Sequence, residues 1–329
     1  MIRAATDADG AAVVAVVSAC WDEYPGCVTD IAGEAPELLA PASALAAKGG
    51  AFWVFAAGGT VAGTIAAWPL GGGVWEVGKL YLAAAHRASG AARDLLATAE
   101  AHAAVAGATE LRLWSDTRFK RAHAFYEKHG FVRTGPLRVL GDQSGSIEFG
   151  YFKPLGHCVV RVLDVAGAAS AERRLAAILC ACVDGGAAVS FLPPLDVATA
   201  RAFWADATRA VAVDQRTVLA AWSDGTLVGT VTLGRDTPPN QPHRAEVSKL
   251  LVHPDARRRG VARALVLAVE EATRAAGRTL LTLDTREGDA GEALYRGLGW
   301  VEAGRIPGYA VNPDGTLHAT VLFYRNLED

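Results

Sequence analysis

Long apolar runs are scarce in this sequence. The most apolar early stretch, residues 11–21, is far shorter than the roughly 20 residues a membrane-spanning helix needs, so no membrane partner is expected. Asp7 and Asp9 precede it where a secretion signal carries positive charge, so it does not read as a targeting segment either. Thr6 and Asp7 look instead like the start of an amphipathic helix. Cysteine is sparse as well: five residues, an odd number. Cys20 and Cys27, and the pair Cys180 and Cys182, lack the two-residue gaps and His partners of a zinc site, so no metal is expected. Reduced, mostly buried thiols in a cytoplasmic protein are the simpler reading. Charge of one sign is also missing. A formal net charge of -3 weighs against wholesale electrostatic binding to nucleic acid. Arg257, Arg258, Arg259 and Arg263 cluster, but without the wider basic surface and interleaved aromatics that nucleic-acid binding uses.

What is present is ample apolar content and a repeat. The chain has 329 residues, 51% hydrophobic and 20% charged, enough for about two domains of roughly 150 residues with a core in each. Lys79-Leu80-Tyr81-Leu82 is echoed by Lys249-Leu250-Leu251-Val252, and Arg87-Ala88-Ser89-Gly90-Ala91-Ala92 by Arg257-Arg258-Arg259-Gly260-Val261-Ala262. Both echoes lie 170 positions apart (79 to 249, 87 to 257). After one deleted residue, Phe125-Tyr126 to Gly130-Phe131 matches Leu294-Tyr295 to Gly299-Trp300. The period is too long for a solenoid and indicates two homologous domains in tandem.

Each half has one coarse order. An extended start (residues 2–5; 159–163) precedes helical stretches. Two strands joined by a Gly-containing turn follow (52–57 and 61–68; 218–222 and 227–233), then a third strand (74–82; 245–252). The turn Arg-x-x-Gly-x-Ala leads into an amphipathic helix (about 91–106; about 261–276). A further strand (110–114; 279–283), a helix carrying a Tyr, and a closing hairpin complete the unit. This predicts an α/β fold in each half, a mixed sheet with helices on both faces. Pro154 and Gly156 place the boundary near residues 155–157, giving domains 1–155 and 157–329.

The turn at residues 257–262 is the part that carries chemistry. The first N–H groups of a helix have no internal partner, and with the helix dipole they form an anion site suited to a pyrophosphate. Gly260 lets the backbone approach closely, and the arginines can reach further phosphate charge. In its second half, Leu250-Leu251-Val252-His253-Pro254, then Arg257-x-x-Gly260-x-Ala262, then Leu294-Tyr295 to Gly299-Trp300, resemble the GCN5-related N-acetyltransferase (GNAT) superfamily, and the first half resembles it more weakly. The resemblance implies two tandem GNAT domains, each with a mixed, mainly antiparallel sheet. It implies acetyl-CoA as co-substrate, its pyrophosphate held at Arg257, Arg258, Arg259, Gly260, Val261 and Ala262, and its arm along the backbone of Val252. It further implies the N–H of Leu250 as oxyanion donor, Glu246 as general base eleven positions before Arg257, and Tyr295 as proton donor to the thiolate.

Each role has a plainer alternative. Glu246 could be a surface carboxylate paired with Arg244 or Lys249, and Tyr295 a core aromatic. Regular alternation puts Lys249 on the strand face opposite Glu246. The Asn that often stands seven residues before the Tyr is absent: Gly288 and Phe119 hold that place. Asp284, Glu287 and Asp289 could orient a cationic acceptor instead. The first half keeps Glu76, Leu82, Arg87, Gly90, Ala92 and Tyr126 but loses two arginines, to Ala88 and Ser89. It is expected to be the weaker site, or a degenerate partner in an intramolecular pseudo-dimer. Residues 239–246, and 306–310 through Asp314-Gly315 to Phe323-Tyr324, are similar to the tabtoxin-resistance acetyltransferases, which implies a small amino-acid-like or antibiotic-like amine as acceptor. Residues 189–194 and Trp204 are expected to wall the acceptor site. Acetylation of a protein amine, and a non-catalytic binding role for the first half, stand as alternatives.

Overall fold

The computed structural model describes residues 1–328 and divides into two compact units, Met1–Leu155 and the chain from Gly156 onwards. The first unit runs β1 (Ile2–Ala4), α1 (Gly10–Trp21), α2 (Ile31–Glu34), α3 (Pro41–Ala47), β2 (Ala51–Ala57), β3 (Thr60–Gly71), β4 (Val74–Leu82), α4 (Ala91–Val105), β5 (Glu110–Asp116), α5 (Lys120–Lys128), β6 (Val132–Val139) and β7 (Ile147–Pro154). The second runs β8 (Val159–Leu163), α6 (Val165–Asp184), α7 (Val197–Ala212), β9 (Arg216–Ser223), β10 (Thr226–Gly234), β11 (Arg244–Val252), α8 (Val261–Ala275), β12 (Leu280–Arg286), α9 (Ala290–Gly297), β13 (Val301–Val311) and β14 (Leu317–Asn326).

Each unit builds a seven-stranded sheet, ordered β1-β2-β3-β4-β5-β7-β6 and β8-β9-β10-β11-β12-β14-β13. The β4/β5 and β11/β12 pairs are parallel; the others are antiparallel. The predicted hairpin turns form at Gly58-Gly59 and Asp224-Gly225, where all four residues have the positive φ of a type I′ turn. Alternation then sorts the side chains. In the first unit, Trp53, Ile65 and Ala67 pack with Leu95 and Leu96 of α4 on one face. Phe52, Val54 and Ala66 pack with Val13 and Val17 of α1 on the other. In the second unit α8 covers one face through Val261, Leu265, Val266 and Val269, and α6 packs against β10 and β11.

Two irregularities, repeated in both units, shape the region of interest. First, the parallel pairing is short. It ends at Glu76↔Arg112 in one unit and Glu246↔Thr282 in the other, although both strands of each pair continue. The remainder of β4 and of β11 therefore has no ladder partner on that side. Second, both strands bulge. Gly78 faces Ala66 and Tyr81 faces Thr64, so Lys79 and Leu80 share one partner position. Ser248 faces Thr232 and Leu251 faces Thr230, so Lys249 and Leu250 do likewise. Both lysines are left-handed, at φ 57° and 51°.

The bulge reverses the alternation. Ala245 and Val247 belong to the α8 core, and beyond the bulge it is Leu250 and Val252 that pack there. Lys249 therefore shares the opposite face with Glu246 and Ser248. This corrects the expectation from a regular strand, which places the lysine across the sheet from the carboxylate.

The close seating of α8 on β10 depends on Gly229. A Cβ there would stand 2.9 Å from the Leu251 carbonyl oxygen and 3.1 Å from Val261 Cγ1. Gly229→Ala should destabilise the second unit by about 1–3 kcal/mol, as other overpacked sites do. A thermal scan should show a fall of about 2–4 °C in Tm per kcal/mol. An unchanged Tm would show that α8 does not need this contact.

Candidate active site

In the second unit β11 leads through a short turn into α8, and Gly260 forms the N-cap with φ 82°. No side chain caps this helix, so the amides of Val261 and Ala262 remain available to an anion. Nothing lies within 4 Å of a Cβ built at Gly260, so the glycine answers to its left-handed φ and not to crowding. The three arginines do not converge as a simple cluster. Arg257 Nε donates to the Val252 carbonyl at 3.3 Å, and Arg259 pairs with Asp224 at 3.0 Å. Among the described residues Arg258 forms no ion pair; it takes the left-handed position, φ 63°.

Glu246 sits just where β11 and β12 separate, on the face away from α8. It lines a cavity of 240 Å³ with Arg216, Asp236, Thr237 and Ser248. It pairs with neither basic neighbour: Arg244 donates to Gln241 Oε1 and Thr282 Oγ1, and Lys249 to Ser190 Oγ. Leu250 lies in the bulge, where the extra residue leaves an amide outside the β10 ladder.

Tyr295 is buried, its ring against Trp300 (5.4 Å between centroids) and Phe323 (6.0 Å). Burial raises its phenol pKa well above the ordinary value, and Asp284 adds to the effect. A core aromatic and a proton donor are thus compatible here, because burial keeps the proton on. Of the other acidic residues, Glu287 is held by Arg305, and Asp284 accepts from Thr320 Oγ1 at 3.0 Å. Gly288 donates its N–H to Glu292. Trp204 is fully buried and belongs to the core, a correction to its expected place in the wall of the site. Phe191 and Phe203 are the aromatics that face β11, in an edge-to-face contact with 5.7 Å between centroids.

The first unit repeats this arrangement with changed contacts. Gly90 caps α4 with φ 93°, and Ala88 takes the left-handed position that Arg258 holds in the second unit. A cavity of 270 Å³ brings together Leu80, Leu82, Arg87, Ala92, Phe119 and Tyr126. Tyr126 is buried against Phe131 and Tyr151, and burial raises its phenol pKa too. Burial pushes the Glu76 carboxyl up, with Arg138 opposing.

Two features escaped the sequence reading. Cys20 and Cys182 donate to the carbonyls of Leu82 and Val252 at 3.5 and 3.4 Å, directly under each turn. Burial pushes both thiols up, so neither is a ready thiolate nucleophile. Three residues beyond Cys20 stands Glu23, whose carboxylate accepts from Arg87 (Nη1 at 2.8 Å, and Nη2) and from Arg121 (2.7 Å). Three residues beyond Cys182 stands Gly185, with Arg257 Nη2 at 3.7 Å from its virtual Cβ. The first turn thus sets a carboxylate on Arg87, whereas the second sets its carboxylate, Asp224, on Arg259 and leaves Arg257 without one among the described residues. Ser89 also accepts from the Ala91 amide at 3.3 Å, where the second turn has Arg259.

Solved structures similar to this chain each match about half of it. The Salmonella typhimurium protein yncA, solved with its cofactor acetyl-CoA, is 19% identical over 53% of this chain and 96% of its own, with a TM-score of 0.45. A ribosomal-protein-alanine N-acetyltransferase from Brucella melitensis is 24% identical over 51% and 99%, TM-score 0.43. A GCN5-related N-acetyltransferase from Kribbella flavida is 22% identical over 51% and 98%, TM-score 0.42. The sequence model of the acetyltransferase (GNAT) family matches twice, at residues 14–131 and 189–300. Each match spans the splayed strands, the bulge and the helix-capping turn of one unit, and the chain belongs to the acetyltransferase (GNAT) family as a tandem repeat.

Proposed function

We propose that the second unit moves an acetyl group from acetyl-CoA to the primary amine of a small molecule, by direct attack in a ternary complex. One observation carries this reading: the unpaired edge of β11, the bulge at Lys249-Leu250 and the uncapped start of α8 follow one another along the chain. They offer, respectively, an open strand edge for an extended polar arm, an amide for an oxyanion, and a helix N-terminus for a pyrophosphate. Acetyl-CoA has these three parts, and bound there it supplies an activated acyl carbonyl. A small acceptor is the expectation from the sequence of residues 239–246 and 306–310, and it is part of this proposal.

The protein's own groups then divide the work. An alkylamine is protonated at neutral pH and cannot attack until it loses a proton. Glu246, open to its cavity and without an ion pair among the described residues, accepts that proton. As the amine nitrogen bonds to the acyl carbon, negative charge on the carbonyl oxygen is met by the Leu250 amide. When the C–S bond breaks, Tyr295, held protonated by burial, donates to the departing sulfur. The backbone of Val252 takes the arm, and Arg257, Arg258, Gly260, Val261 and Ala262 hold the pyrophosphate end, with Arg259 partly restrained by Asp224.

Thiol release from acetyl-CoA, screened against an amine library, tests the activity. Glu246→Gln should lower the rate by about 10²–10⁴-fold, and least at high pH where more amine is already neutral. Tyr295→Phe should lower turnover with little change in acetyl-CoA affinity. Full activity in both would remove these residues from the mechanism. Gly260→Asp should abolish acetyl-CoA binding by calorimetry.

The first unit is the weaker site in this reading, because Glu23 occupies Arg87. Calorimetry of the full chain should therefore give one tight acetyl-CoA site. Glu23→Gln should add a second binding event, and Gly185→Glu should weaken the existing one by about tenfold, the scale of one charge-assisted hydrogen bond. Two equal sites in the unaltered protein would reject the asymmetry.

A further inference from the structure

Lys249 and its counterpart in the first unit, Lys79, have different partners. At the same bulge in the first unit, with the same left-handed φ, Lys79 has the Glu37 carboxylate at 2.8 Å. Among the described residues Lys249 has no carboxylate at ion-pair distance. Its Nζ donates to Ser190 Oγ at 3.2 Å and stands 5.5 Å from the Phe203 ring centroid and 5.8 Å from that of Phe191. The charged groups that act on it at longer range are Arg216, of like sign, and Asp284 and Glu246, of opposite sign. Burial lowers its pKa, Arg216 adds to that, and Asp284 and Glu246 oppose it. A partly desolvated ammonium flanked by two rings favours any carboxylate brought to it, because little water competes for either charge.

We propose that Lys249 is the specificity-determining residue of the acceptor cleft, binding a carboxylate of the substrate, so that the acceptor is an amine that also carries a carboxylate. This rests on the acetyltransferase reading of the second unit. The bulge is what makes it workable, since it brings Lys249 onto the face of Glu246. A small molecule can then present its carboxylate to one and its ammonium to the other. The first unit displays the same lysine position already holding a carboxylate, that of Glu37, from the segment between α1 and α3. In the second unit the segment between α6 and α7 supplies the Ser190 hydroxyl and the Phe191 ring in its place.

The test uses the full chain, acetyl-CoA and matched pairs of acceptors: amino acids, and the same molecules with the carboxylate replaced by a carboxamide. The unaltered protein should prefer the acid at least tenfold in kcat/KM. Lys249→Met should bring that ratio to near one, and Lys249→Arg should restore part of it. Acetyl-CoA affinity measured on each variant reports whether the fold is kept. An acid-to-amide ratio near one in the unaltered protein, or a preference that survives Lys249→Met, overturns the proposal. Absence of turnover with every amine counts against the acetyltransferase reading instead. Calorimetric binding of the amino acids in the presence of coenzyme A then decides the role of Lys249: weaker binding to Lys249→Met supports it, and equal binding rejects it.

Discussion

One extra residue in β11 sets the direction of every side chain around the candidate active site. Without the bulge, the strand's two-residue period would send Lys249 into the α8 core and Leu250 away from it. With it, the apolar residues resume their places against α8 and the polar ones gather on the other face. The bulge carries a lysine at φ 51°, a conformation that costs on the order of 1–2 kcal/mol for a residue with a Cβ. The same cost recurs at Lys79, at the same place in a second copy of the fold. Strain kept in both copies, next to the point where the parallel strands part, ties the bulge to the site and not to the needs of the sheet.

Much of the architecture was legible because it depends on local signals. The β4 and β11 strands, the Gly-containing hairpin turns and the start of α4 and α8 follow from alternation, positive-φ residues and an amphipathic period, and the structure has them within a residue or two. The repeat itself needed only self-comparison. The site was legible where a motif is continuous, as at Gly260 and Ala262. It was not legible where the relevant partners are distant in sequence. Glu23 meets Arg87 across 64 positions, and Lys249 meets Ser190 across 59. The reversal at Lys249 was missed for another reason. A bulge is invisible to a period-two reading unless a glycine marks it, and here a lysine sits in the left-handed position.

The duplicated fold lets each unit act as a control for the other. Both keep the carboxylate on the splayed strand (Glu76, Glu246), the buried tyrosine (Tyr126, Tyr295) and the glycine-capped helix. They differ in who holds the cations. In the first unit Arg87 is taken by Glu23 and Lys79 by Glu37. In the second, Gly185 stands where Glu23 stands, and Lys249 has a hydroxyl and two rings for company.

That difference separates chemistry from binding. Glu76 and Tyr126 keep in the first unit the side chains that the proposed mechanism uses in the second, and burial raises the Glu76 carboxyl. What has changed is the supply of positive charge to a ligand. An internal carboxylate is tethered, so it competes with a dissolved anion at high effective concentration. Neutralising two cations by tethered carboxylates therefore weakens anion capture without dismantling the fold or the bulge. Anionic ligands are then expected to partition toward the unit whose Arg257 and Lys249 have no carboxylate at ion-pair distance among the described residues. The two copies differ in electrostatics at these positions and where Ala88 and Ser89 stand against Arg258 and Arg259, more than in backbone.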